Sequence, residues 1–404
     1  LGSILIESGL ISDFGPDVQA KGQIIDANGL ICSPGLIDMR VNTGEPGKEN
    51  RETISTATKA AAAGGITSIV LMPETNPAID DISLVDFINR KSENAPINIY
   101  AAGALTKSLD GSTLTEIGLM SEAGAVMFSN GALPIKSAQT MRRLLSYSSN
   151  FDCLISNRPI ESSLSINTAA HESDFSLRLG LPSSPSVSER IIVERDIALA
   201  ELTGGKLLID LISASESLIA IKQAKLKYSN ISCSVSINHL SLNEKDIGDY
   251  RTFAKLDPPL REESDRLDLL NGINDGTIDV IVSSHDPRPA GEKRLPYSQA
   301  ASGAIGLETL LAAGLSLVAD KQLNLMNFLA TLTCNPASLL GLKSGRIKKS
   351  APADLIIFDP NAPWVCKGKS LLSKSKNTPF DGRLMTGRNI KTICKGKLVF
   401  DSSN

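Results

Sequence analysis

Apolar residues in the first 35 positions come in short runs broken by glycine. Ile4–Ile6 and Leu10–Phe14 flank Gly9, and Ile24–Ile25 and Leu30–Cys32 flank Gly29. Such runs predict short strands joined by tight turns. The chain closes in the same style, with Leu355–Phe358 after Pro352-Ala353-Asp354 and Ile393–Phe400 turning at Lys395-Gly396-Lys397. Between these ends the pattern changes. Continuous apolar runs occur at Gly35–Val41, Ile66–Met72, Ile97–Ala101, Ala125–Ser129, Cys153–Ser156, Leu207–Ser213, Ile231–Ser236 and Ile278–Ser283. Helix-compatible stretches fill most gaps: Glu52–Ala63, Leu84–Glu93, Ala138–Tyr147, Glu189–Leu202 and Glu216–Lys227. The gap after the seventh run is less regular, with Pro258-Pro259 ahead of Arg261–Asn271, and helices are expected again at Ile305–Val318 and Leu325–Thr333.

Strands that are apolar throughout, not alternating, are those covered on both faces. Eight of them separated by helices predict an α/β fold, a (β/α)8 TIM-like barrel, with a small β-sandwich domain built from both termini. The expected parts are 1–35, 36–343 for the barrel, and 344–404. A doubly wound open sheet is the alternative; the count of eight and a span of roughly 300 residues favour the barrel. Gly64-Gly65 reads as a helix stop before the second strand, since no helix N-terminus follows to cradle a phosphate. Ser183–Ser188 reads as a loop.

Composition narrows the function classes. The 404 residues are 42% hydrophobic and 21% charged with a net charge of −3, enough for one large core and an accessory domain. That balance, with a pI near 5.8, gives no electrostatic case for nucleic acid or an anionic membrane. No apolar run approaches the roughly 20 residues of a spanning helix. Six cysteines (Cys32, Cys153, Cys233, Cys334, Cys366, Cys394) form no CxxC pair. They read as isolated thiols of a cytoplasmic protein. The chain opens on Leu1 with no charged-then-apolar leader, so a truncated or disordered N-terminus is expected in preference to a signal peptide.

In such a barrel the reactive groups follow the C-terminal ends of the strands. Those positions hold Arg40, Asn42, Glu45 and Pro46, then Glu74, Thr75 and Asn76, then Asn130, Asn157, Arg158, Leu211, Asn238, His239, Ser284, His285 and Asp286. A metal centre needs several imidazoles and carboxylates converging there. Only three histidines exist in the chain. His171, in AAHESDF, is expected on a helix surface, and His239 against the loop after the seventh strand.

Six segments resemble the signature stretches of class I dihydroorotases in the amidohydrolase superfamily: PGLIDMRVNTGEPG (34–47), AAAAGGITSIVLMPETNP (60–77), SINHLSLNE (236–244), LDPPLREESDR (256–266), SSHDP (283–287) and GAIGLETLL (303–311). They fall in family order, and APADLIIFD (351–359) resembles the superfamily's β domain. The resemblance implies a zinc-dependent ring opening or closing in pyrimidine biosynthesis, from carbamoyl aspartate to dihydroorotate. It also implies that the family's metal-ligand positions are occupied here by Arg40, Asn42, Asn130, Asn157 (or Arg158), Leu211 and Ser284, and its substrate arginine by Gly44. Glu74 and Asp257 stand where the family has asparagines. His285 is retained, and Arg288 replaces a later histidine.

The expectation that follows is a dihydroorotase-like protein without catalytic metal or other cofactor. The resemblance implies that it acts as a structural partner of aspartate carbamoyltransferase, with or without self-association. His285 and Asp286 are vestigial catalytic candidates; Arg40, Asn42, Glu74, His239 and His285 are candidate substrate contacts. Arg40, Arg158 and Arg288 either bind an anion or fill the vacated cavity by pairing with Glu45, Glu74 or Asp286. The alternative is an active cyclic amidohydrolase with an altered metal site.

Overall fold

The computed structural model describes residues 2–19 and 22–403. Eight parallel strands follow one another round a barrel: Leu36–Val41, Ile66–Leu71, Asn98–Ala104, Ala125–Ser129, Leu154–Asn157, Lys206–Ile209, Ile231–Ser236 and Val280–Val282. The seam between the last and first strands closes through a parallel bridge from Val41 to His285, with the Asn42 N–H donating to the His285 carbonyl at 2.8 Å. The expected barrel is therefore present, each strand within a few residues of its apolar run. The open sheet is excluded.

Alternation along the strands divides the core in two. Ile37, Met39, Val70, Met72, Met127 and Leu208 belong to one buried cluster. Leu36, Ile66, Ile69, Ile99 and Phe128 belong to a larger one that takes in helical residues such as Ala57, Leu144 and Val193. Full burial of each large aliphatic side chain contributes about 1.5–3 kcal/mol. Among the described residues no helix is long and apolar enough to cross a membrane.

The first covering helix, Ile54–Ala63, begins at Thr53, whose hydroxyl accepts from the Thr56 N–H while Thr56 returns a bond to the Thr53 N–H. It ends at Gly64, and Gly65 turns the chain into the second strand at φ +83°, a conformation that suits glycine. The double glycine is thus a helix stop.

Strands from both termini build the small domain. Ile31–Pro34 pairs with Leu355–Val365, which pairs with Leu384–Cys394, which pairs with Lys397–Asp401. The hairpin Ser3–Glu7/Leu10–Gly15 packs on this sheet through Ile11, Ala353, Leu355 and Ile393. Ile24–Ile25 is irregular chain and forms no strand.

Four other local expectations change. Ser183–Ser184 is a short strand paired with Ala170–His171, and Val187 already begins a helix, so Ser183–Ser188 is not simply a loop. The helix expected from Ile305 starts at Leu310. Before it, Ala304 bridges to His285, and Gly306 passes so close to Ser283 that a Cβ would lie 2.6 Å from its carbonyl oxygen. A short helix, Ile237–Ser241, follows the seventh strand. His171 lies in a strand and is only 7% exposed, not on a helix surface.

Candidate functional site

Two cavities open at the C-terminal ends of the strands. One, about 70 Å³, is lined by Arg40, Ser236, Asn238, His239 and Ser284 among others. The second, about 340 Å³, is walled by Lys48, Arg51, Glu74 and Thr75, and the two share Asn42, Asp286 and Arg288. Of the rim positions expected from the sequence, Arg40, Asn42, Glu74, Thr75, Asn238, His239, Ser284 and Asp286 line these cavities.

Arg40 leaves the first strand, is 6% exposed, and donates through Nη1 to Asp210, just beyond the sixth strand. The other oxygen of Asp210 accepts from the Ser234 hydroxyl at 2.8 Å. Burial alone would weaken the charge on Arg40, but Asp210, then Glu74, Asp257 and Asp286, outweigh it and raise its pKa. Arg158 donates to Asp257 at 2.7 Å, and Arg288 to Asp286 at 2.6 Å and to the Ser302 carbonyl at 2.8 Å. Each arginine of the trio thus has its own carboxylate. Of the expected pairings only Arg288–Asp286 is present. Glu45 instead caps the helix at the Ile54 N–H (2.7 Å) and pairs with Lys91 (2.8 Å). Glu74 accepts from the Ala132 N–H at 3.1 Å, and its remaining oxygen is buried with no partner. Burial first, then the charge of Asp286, raises the Glu74 pKa against the pull of Arg40.

The other rim positions are committed to scaffolding. Asn130 Oδ1 accepts the Leu105 and Thr106 N–H groups, and its amide donates to the Thr106 hydroxyl. Asn157 Oδ1 accepts the Ile135 N–H, and its amide donates to Asp196 at 2.6 Å. Leu211 is buried in the cluster of Met39, Met72 and Leu208. Leu211 and Ser284 hold φ values of +56° and +51°, left-handed backbone that costs a non-glycine residue about 1–3 kcal/mol. Among the described residues no three His, Cys, Asp or Glu side chains gather as a metal-binding group. Arg40, a permanent cation paired with Asp210, would repel a divalent ion from its own position at the rim.

His239 is buried. Its Nε2 lies 3.1 Å from the Pro258 carbonyl and 3.3 Å from that of Pro259, so this nitrogen carries the proton and Nδ1 is a lone pair without a donor. Burial, then the charges of Arg158 and Arg261, bring its pKa down to about 4. His285 does not reach either cavity: its side chain is 0% exposed and points to Glu52, while Asp286 turns toward Arg288. The two adjacent residues form no catalytic pair, and His285 is not placed to touch a ligand in these cavities. His171 accepts from Arg261 at 3.0 Å and lines neither cavity. Sequence reading missed Asp210 and Glu52. Asp210 stands one residue before the examined Leu211, the signal that would have found it; Glu52 looked like a helix N-terminal acid.

Three comparisons place this geometry among known proteins. A family described as dihydro-orotase-like matches residues 29–217. The dihydroorotase of Ehrlichia chaffeensis is 41% identical over 407 residues, covering 99% of this chain and 91% of that protein. That of Geotalea daltonii is 38% identical, covering 98% and 94%. Among solved structures, the L-hydantoinase of Arthrobacter aurescens superposes with a TM-score of 0.88 at 23% identity, covering 98% of this chain and 92% of that one, a likeness of fold. With the barrel, the two-ended β domain and near full-length identity to dihydroorotases in hand, the chain belongs to the dihydroorotase family.

Proposed function

We propose that this chain is a non-catalytic dihydroorotase homologue of pyrimidine biosynthesis, acting as a structural partner of aspartate carbamoyltransferase. The observation that carries the first half is the buried Arg40–Asp210 pair at the position where the family resemblance puts the first metal ligand. A metal-bound water titrates near 7 instead of about 15.7, and losing that shift forfeits roughly 12 kcal/mol of nucleophile activation. Neither His239, bound to two carbonyls, nor His285, turned away from both cavities, replaces it. The partner role follows from the family resemblance, in which members with substituted ligands serve aspartate carbamoyltransferase. The test is to assay purified chain for carbamoyl aspartate cyclisation with and without added zinc, and to run it with aspartate carbamoyltransferase on a sizing column. No turnover and co-elution at micromolar concentration support the reading. Zinc-dependent turnover overturns its first half, and separate elution its second.

A second reading has one observation in its favour. Asn238 Oδ1 and His239 Nδ1 belong to residues lining the smaller cavity and are buried acceptors without donors, and such groups destabilise unless something pairs with them. A ligand bearing N–H groups, carbamoyl aspartate or dihydroorotate, would satisfy them without being converted. Calorimetric titration with each decides this, and no heat from either removes it.

A further inference from the structure

The segment 371–377, in the long connection between strands Leu355–Val365 and Leu384–Cys394, leaves the small domain and lies on the loops at the barrel mouth. Two carboxylates grip it. Glu308 accepts the Leu372 N–H at 2.9 Å and the Ser373 N–H at 3.2 Å. Glu52, fully buried, accepts the Ser373 hydroxyl at 2.6 Å and the Lys374 N–H at 3.0 Å with both oxygens. Further along, the Ser375 hydroxyl donates to the Arg51 carbonyl at 2.7 Å. The segment ends at Asn377, whose amide donates to the carbonyls of Asp286 (3.2 Å) and Gly303 (3.0 Å) and whose oxygen accepts the Arg288 N–H (3.1 Å). Asp286, Arg288 and Gly303 are themselves cavity wall.

His285 stands behind this arrangement. Its carbonyl closes the barrel seam, and its Nδ1 accepts the Gly306 N–H at 3.2 Å. A nitrogen that accepts carries no proton, so the ring proton is on Nε2, which faces Glu52 Oε2 at 3.7 Å. At that separation the contact is longer than a hydrogen bond and Nε2 has no hydrogen-bond partner, so with both side chains 0% exposed the ring N–H meets the carboxylate only through electrostatic attraction.

We propose that Glu52 and His285 form an internal latch that holds segment 371–377 on the barrel mouth and thereby fixes the strand-eight loop that walls the cavities. In this account His285 is retained as a positioning residue between barrel seam and small domain, not as a remnant of catalysis. The latch is independent of whether the mouth binds a metal or a ligand.

Hydrogen exchange on the full chain tests it, with three variants. Glu52→Gln removes the charge that His285 and the segment share. His285→Asn keeps an acceptor for Gly306 but is too short to reach Glu52. His285→Gln restores the reach. The expected result is exchange faster by about tenfold or more at Leu372–Lys374 and at Arg288 in Glu52→Gln and His285→Asn. Near-native protection returns in His285→Gln, and helix Leu325–Leu332 is unchanged throughout. Unchanged exchange at the segment in His285→Asn overturns the latch. So does a loss of protection spread evenly over the chain, because a latch releases locally, or a failure of His285→Gln to recover what His285→Asn loses.

Discussion

The pair Arg40–Asp210 gives the sharpest energetic prediction. Their side chains are 7% and 4% exposed, so neither charge is relieved by water. Arg40→Met keeps much of the volume but strands the Asp210 carboxylate with only the Ser234 hydroxyl as donor. Breaking one side of a buried pair costs about 3–5 kcal/mol, whereas replacing both sides with apolar groups of similar volume is often close to neutral. Unfolding entropy of about 2.1 cal/mol/K per residue, taken over 404 residues, makes a loss of about 4 kcal/mol a fall in Tm of about 5 °C. The assay is a thermal-melt cycle of Arg40→Met, Asp210→Leu and the double variant at pH 7. Each single change is expected to lower Tm by about 5 °C, with the double variant returning to within about 2 °C of the parent. An Arg40→Met protein as stable as the parent, or a double variant as unstable as the sum of the singles, would refute the claim that the pair exists to satisfy itself.

Two other predictions concern pH. Asp38 is fully buried with Oδ2 unpartnered, and burial, against the Ser283 and Arg40 N–H groups, pushes its pKa from 3.8 up to about 6. The folded state holds that proton more tightly, so this contribution is complete below pH 3.8 and is lost as pH rises through 6, a loss of roughly 3 kcal/mol. Asp38→Asn should therefore raise Tm above pH 6 and not below pH 3.8; a gain equal in both ranges contradicts it. His171 is the reverse case. Burial and then the charge of Arg261 bring its pKa from 6.5 down to about 4, so it is neutral when folded and its contribution is lost as pH falls below 6.5. His171→Asn, which keeps an acceptor for Arg261, should flatten the decline of Tm between those values relative to the parent, on top of the decline from His239 and the opposing gain from Asp38. A slope identical to the parent's would show that His171 does not titrate on unfolding.

The eight strands were legible because strands covered on both faces must be apolar throughout, and that pattern is local. The double glycine was legible for the same reason: helix stops carry their own chemistry. Pairings between distant segments were not. Arg40 meets Asp210 across 170 positions, and nothing in either neighbourhood announces the other. Arg158 meets Asp257 for reasons equally remote. Glu45 was offered to the arginines because it stands on the same rim, yet capping Ile54 turns it away. His171 shows the limit of periodicity: AAHESDF is polar enough to suggest a helix surface, but Arg261, 90 positions on, draws the ring inside. His285 was singled out as a catalytic or substrate-contact candidate, yet its ring lies 3.7 Å from Glu52, whose carboxylate also accepts from Ser373 in a segment arriving from the far end of the chain.

Metal content addresses the central claim most directly. The chain would be purified without chelator, dialysed against zinc, freed of unbound ion, and analysed by plasma mass spectrometry. A rim built from arginine–carboxylate pairs and scaffolding amides predicts less than about a tenth of an equivalent of zinc per chain. About one equivalent or more, lost on substituting rim residues such as Glu74 or Asp286, would contradict the account and make this barrel a metal-dependent hydrolase.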